Sequence, residues 1–146
     1  MSDWDELYME LILDHNKNPR NKGEIDGHTH SADGHNPLCG DRISIQIVVE
    51  NDIVTNASFI GSGCAISTAS ASILTDAIKG LKRAEIEKLF KQFHDLVTKD
   101  NSERGDLGKF SVFGGVRKYP ARVKCATLSW HALMAALEGK QKASTE

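Results

Sequence analysis

Apolar positions along this chain change their period more than once, and the changes mark out the elements. In "DWDELYMELILDHNK", Leu7 and Leu11, with Tyr8 and Ile12, recur at helical spacing and predict a helix over 3–17. Ser2 or Asp3 caps its start, and acidic residues crowd the first turn, where the helix dipole favours them. Pro19 disfavours helical backbone at the residue before it, so the helix is expected to end at or before Asn18. "NKGEIDGHTHSADGHN" follows, polar and glycine-containing, and any strand over 25–32 is expected to be a weak edge. From Arg42 to Glu50 the period becomes two, with Ile43, Ile45 and Ile47 facing one way. Asn51 and Asp52 form a tight polar turn and Ile53 to Gly61 returns, which predicts a β-hairpin.

Gly61 and Gly63 break that strand, and Cys64 to Lys79 predicts a helix whose many Ser and Ala residues permit close packing. The helical period returns over 82–99, with Ile86, Leu89, Phe93 and Leu96 on one face. Residues 100–120 are loop-rich, with one short helical piece expected over 107–114. A last helix is expected from Ala121, just after Pro120, to Leu137, and 139–146 as a frayed polar tail. This order predicts an α+β fold: a small antiparallel three-stranded sheet with helices packed on one face. With no repeat or linker, residues 1–146 are expected to form one domain.

Composition narrows the function classes. The 146 residues are 40% hydrophobic and 26% charged, within the range of chains that bury a core without staples. A net charge of -2 offers no electrostatic footprint for nucleic acid. No apolar run approaches the roughly 18 residues of a membrane span. The acidic start lacks a basic, apolar leader, so a cytoplasmic location is expected. Three cysteines are an odd number, and in a reducing compartment they point to inert buried thiols, a metal site or sulfur chemistry.

Each cysteine has a suggestive setting. Cys39 lies in the Pro/Gly turn of "NPLCGD". Cys64 follows Gly-Ser-Gly at a helix N-terminus, where the dipole and free N–H groups favour a thiolate. Cys125 stands near the start of the last helix, close to the basic Arg122 and Lys124. All three near element ends fit convergence at one edge of the sheet. Three thiolates need a fourth partner for tetrahedral zinc, and Asp41, two residues after Cys39, is the neighbouring candidate. Plain turn chemistry accounts for Asp41 equally well. The six histidines compete for the ligand role: His28 and His30 share a face if their segment is a strand, and His35 precedes Cys39 by four residues. His94 reads as packing beside its helix's apolar face, and His131 is off the face of Cys125, which leaves a Cys–His–Asp hydrolase thinly supported. No G-x-S-x-G, phosphate-loop or dinucleotide pattern is present.

Taken together, "NPLCGD", "GSGCAISTASAS" and "YPARVKCATLSW" resemble the cysteine motifs of the SufU/IscU/NifU-type iron–sulfur cluster assembly family, and "HNKNPRNKG" resembles its N-terminal signature. The resemblance runs from about residue 5 to residue 138. It implies an α+β fold with one metal site, held by Cys39, Asp41, Cys64 and Cys125. Lys124 stands where the scaffold branch typically has a histidine, and the "LPPVK" stretch of that branch is missing. "ERGDLGKFSVFGGVRKYPARVK" instead resembles the insertion of the SufU type. That branch implies a zinc-dependent sulfurtransferase that accepts persulfide sulfur from a pyridoxal-phosphate cysteine desulfurase (SufS-type) and passes it to downstream cluster-assembly proteins. Cys39, in the most mobile setting, is then the expected acceptor, and Arg122 the expected stabiliser of its persulfide. Two rival expectations are a scaffold carrying a transient [2Fe–2S] cluster and a small zinc protein with no covalent chemistry.

Overall fold

The structure is a computed structural model that describes residues 3–37, 40–98, 110, 113, 116 and 119–144. Helix α1 spans Asp3–Lys17 and stops, as Pro19 dictates, just before Asn18. Strands β1 (His30–Asn36), β2 (Asp41–Glu50) and β3 (Ile53–Ser62) follow, then helices α2 (Ala65–Ala77), α3 (Arg83–Thr98) and α4 (Pro120–Leu137), and last a short strand β4 (Lys142–Ser144).

The sheet has four strands in the order β3-β2-β1-β4. β2 pairs antiparallel with both β1 and β3, whereas β4 runs parallel to β1, with Gly34 opposite Ala143. This corrects the expectation of a three-stranded antiparallel sheet. Residues 142–144, expected within a frayed tail, make the fourth strand. The weak strand expected over 25–32 begins five residues later, at His30, and lies between two neighbours instead of at the edge. The Asn51–Asp52 turn has φ of 53° and 66°, the left-handed pair that matches the twist of a two-residue hairpin.

Alternation in β2 sends Ile43, Ile45 and Ile47 into the core, along with Asp41. Arg42 and Ser44 take the other, more polar face. Helices α2 and α4 lie across the inner face, α1 packs on α2, and α3 on α4. Close approach needs small residues: a Cβ on Gly34 would sit 3.1 Å from Leu128 and 3.2 Å from Ala132 of α4. On α2, Ser70 donates to the carbonyl of Ala126 at 2.6 Å, which joins the two helices through a buried hydroxyl.

The exposed edge of β3 is engaged twice by the chain's own backbone. Asn21 and Gly23 bond to Phe59, and Gly80 and Leu81 bond to Val54. Behind the helices, Phe90, Phe93 and Trp130 stack, and Phe110 and Phe113 meet Phe93 edge-on at 5.5 and 5.7 Å. Phe110, Phe113 and Val116 are buried, so the segment read as loop-rich contributes to the core at these points. The helical piece expected over 107–114 otherwise lies outside the described residues.

Candidate metal centre

Three elements end at one corner of the sheet. β2 begins at Asp41, α2 begins after Cys64, and the first turns of α4 carry Cys125. One ligand atom from each of Asp41, Cys64 and Cys125 lies within 4.8 Å of the others. Cys39 lies outside the described residues. Arg122 stands in the first turn of α4, exposed and three residues before Cys125, on the same side of the helix.

The local geometry explains the residues around the site. Cys64 is the N-cap of α2: its backbone is extended, and its sulfur accepts from the N–H of Ser67 at 3.5 Å. A cysteine thus fills a position usually held by Ser, Thr, Asn or Asp. Gly63 has no side chain because Asp41 occupies the space. A Cβ there would fall 2.7 Å from Asp41 Oδ1 and 3.0 Å from its Cγ.

Asp41 is wholly buried and well bonded. Its Oδ1 accepts from the N–H of Cys64 at 2.8 Å, and its Oδ2 from the hydroxyl of Ser67 at 2.9 Å and the amide of Asn36 at 3.2 Å. Burial pushes the Asp41 pKa up, but donors from Cys64, Ser67, Cys125 and Asn36 outweigh it and hold the carboxyl below its usual range. The Cys64 thiol is lowered from 9.0 to about 5. A hydrogen bond from Cys125 is the largest cause and Ser67 adds to it, against burial and the Asp41 charge.

This donor set fits a borderline cation such as zinc, which takes thiolate and carboxylate ligands together. Two sulfurs and a carboxylate converge on one point, and among the described residues the donors that favour the ionised carboxylate are all neutral. No histidine joins the group among the described residues. His28 bonds to the carbonyl of Ile25 at 3.1 Å, and His30 to the Thr29 hydroxyl at 2.8 Å. His94 and His131 both lie against the ring of Phe90, and burial, then the nearby His94, lowers the His131 pKa.

Sequence reasoning missed Asn36 and Ser67, which bind the donors together. Asn36 had a signal, since it opens "NPLCGD"; Ser67 had none of its own, because a cap three residues earlier bonds the backbone N–H whatever the side chain. It also missed His15, buried between α1 and α2 with Nδ1 2.6 Å from the Ser72 hydroxyl.

Fold and corner together define an α+β module with a cysteine- and aspartate-bearing corner that could hold a metal ion. The chain belongs to the NifU-like N terminal domain family, whose pattern matches residues 7–126. It is 48% identical over 130 residues to the "Zinc-dependent sulfurtransferase SufU" of Bacillus subtilis, covering 88% of each chain. It is 38% identical over 139 residues to the "Iron-sulfur cluster assembly scaffold protein IscU" of Streptococcus pyogenes, covering 94% of this chain and 87% of that one. Among solved structures it matches a putative iron-sulfur cluster assembly scaffold protein for the SUF system from Fervidobacterium islandicum. The TM-score is 0.83 at 31% identity, over 88% of this chain and 94% of that one.

Proposed function

We propose that this protein is a zinc-dependent sulfurtransferase that takes persulfide sulfur from a cysteine desulfurase for iron–sulfur cluster assembly. The observation that carries the reading is the convergence of Asp41, Cys64 and Cys125 within 4.8 Å at the corner where three elements end. The 48% identity to a relative named for this activity supports it. Cys39, Asp41, Cys64 and Cys125 would hold the ion. Zinc, when bound, supplies a positive charge that keeps coordinating thiols ionised at neutral pH.

Cys39 is the proposed sulfur acceptor. Its thiolate attacks the outer sulfur of the desulfurase persulfide, the S–S bond breaks, and the desulfurase cysteine leaves as thiolate. The new S–S bond is on Cys39, and the sulfur has moved with no net oxidation or reduction. Cys64 and Cys125 are tied to helix starts and stay in place, and Asp41 adds negative charge. Arg122, one helical turn before Cys125, supplies the positive charge that an anionic persulfide requires.

A second reading, a scaffold on which a [2Fe–2S] cluster is assembled and passed on, is favoured by the relatives named IscU. One experiment separates the two. The protein is mixed with a SufS-type cysteine desulfurase and cysteine, and alanine production and protein-bound persulfide are followed. Sulfur transfer predicts faster alanine production and a persulfide mapped by mass spectrometry to Cys39, both lost in Cys39→Ala. No stimulation, together with a coloured cluster in the purified protein, would establish the scaffold reading instead.

A further inference from the structure

Two neutral side chains approach the site from different elements and meet at the same carboxylate oxygen. Asn36, at the end of β1, donates to Asp41 Oδ2 at 3.2 Å, and its amide nitrogen lies 3.6 Å from Cys125 Sγ. Ser67, in the first turn of α2, donates to the same Oδ2 at 2.9 Å. The Ser67 hydroxyl also lies 3.7 Å from Cys64 Sγ and 3.2 Å from the carbonyl oxygen of Cys125. Asn36 and Ser67 are 0% and 1% exposed, so both spend their polar groups inside the fold. A buried polar group is unfavourable unless bonded, and here the bonds lead to the ligand set.

A hydroxyl has one proton, whereas that of Ser67 faces a carboxylate, a carbonyl and a sulfur. It can donate to only one of them at a time, and it accepts from Cys64 when that sulfur carries a proton. Ser67 therefore contacts the three proposed donors among the described residues, one from each element at the corner.

We infer that Ser67, with Asn36 facing it, is a positioning residue that sets Asp41, Cys64 and Cys125 as one donor set before an ion arrives. This rests on the reading of those three residues as metal ligands. Ser70 supplies the comparison. It is also a buried α2 serine bonded into α4, through Ala126 at 2.6 Å and Ser129 at 3.4 Å, yet it bonds to none of Asp41, Cys64 and Cys125. A merely structural role would make Ser67→Ala and Ser70→Ala alike.

The test loads the full chain with cobalt(II) and records the thiolate-to-cobalt charge-transfer band and the ligand-field bands. Loss of those bands to EDTA then gives the rate of metal release. Ser67→Ala and Asn36→Ala are each expected to shift the ligand-field bands and to release cobalt about 10- to 100-fold faster, with Ser70→Ala matching the unmodified protein. Unchanged bands and rates in Ser67→Ala and Asn36→Ala, or the same change in Ser70→Ala, would overturn the inference. A charge-transfer band missing from the unmodified protein would instead sink the metal-site reading, and the inference with it. Should circular dichroism show Ser67→Ala unfolded, Asn36→Ala decides by the same two readouts.

Discussion

Cys125 and Trp130 lie about 1.4 turns apart on α4, and both are fully buried. Around Cys125 the neighbours are donors and acceptors: Asn36, Ser67 and Asp41. Around Trp130 they are rings, with Phe90, Phe93 and Phe110 at 5.4 to 5.5 Å. The indole N–H of Trp130 is buried with no hydrogen-bond partner among the described residues, a penalty of about 1–3 kcal/mol. Apolar area offsets it, since aromatic side chains bury about 150–250 Å² each. The same omission at Asp41 would disable the corner, because there the direction of each bond decides what the sulfurs can do. One helix thus carries a region specified by volume and a region specified by bond geometry, and the two should fail differently.

Phe93→Ala attacks the first region and should have the largest effect. It removes a fully buried ring that meets Phe110, Phe113 and Trp130, at a cost of about 3–5 kcal/mol. Urea denaturation should show the loss, while metal bound per folded molecule stays that of the unmodified protein. A change in metal content without a change in stability would break the comparison.

Gly63→Ala attacks the second region. The added methyl meets an Asp41 carboxylate already held by Cys64, Ser67 and Asn36, so the carboxylate has little room to give. The expected destabilisation is smaller, about 1–3 kcal/mol. Metal content by elemental analysis should nevertheless drop sharply, the reverse of the Phe93→Ala result.

The effect that is smallest step by step is a slope of no more than about 1.4 kcal/mol per pH unit. In the metal-stripped protein the Cys64 thiol has its pKa lowered from 9.0 to about 5, mainly by Cys125. Between those values the unfolded chain holds a proton that the folded chain has lost, so stability rises with pH. That contribution is complete above the unfolded value and is lost as pH falls towards about 5. Urea midpoints of the stripped protein should therefore rise between about pH 6 and pH 9, and more steeply than those of Cys64→Ser. Equal slopes in the two proteins would place the pH dependence elsewhere.

The same contrast decides how much could be read from the chain. Volume-specified parts leave periodic traces: Ile43, Ile45 and Ile47 announce their strand, and Ile86, Phe93 and Leu96 their helix. The hairpin turn at Asn51–Asp52 announces itself by residue type. β4 leaves no such trace, because Lys142 to Ser144 pairs with β1 through the backbone and lacks an alternating apolar face. β1 was misplaced for a related reason. Its inward positions are Ala32, Gly34 and Asn36, too small or too polar to register as a core face, although α4 lies directly on them. At the corner, cysteines and a neighbouring aspartate could be read from motif and spacing. Ser67 could not be singled out among the many serines of α2, because only the fold brings its hydroxyl to Asp41 across 26 residues.

The backbone bonds that Asn21, Gly23, Gly80 and Leu81 make along β3 have a consequence for how other molecules can meet this one. One long edge of the sheet is already interrupted by the chain's own loops, and the other ends in a strand of three residues. Among the described residues, a passing polypeptide finds no extended row of vacant amides and carbonyls on which to lengthen the sheet. Edges guarded in this way protect a concentrated solution of the protein from ribbon-like growth.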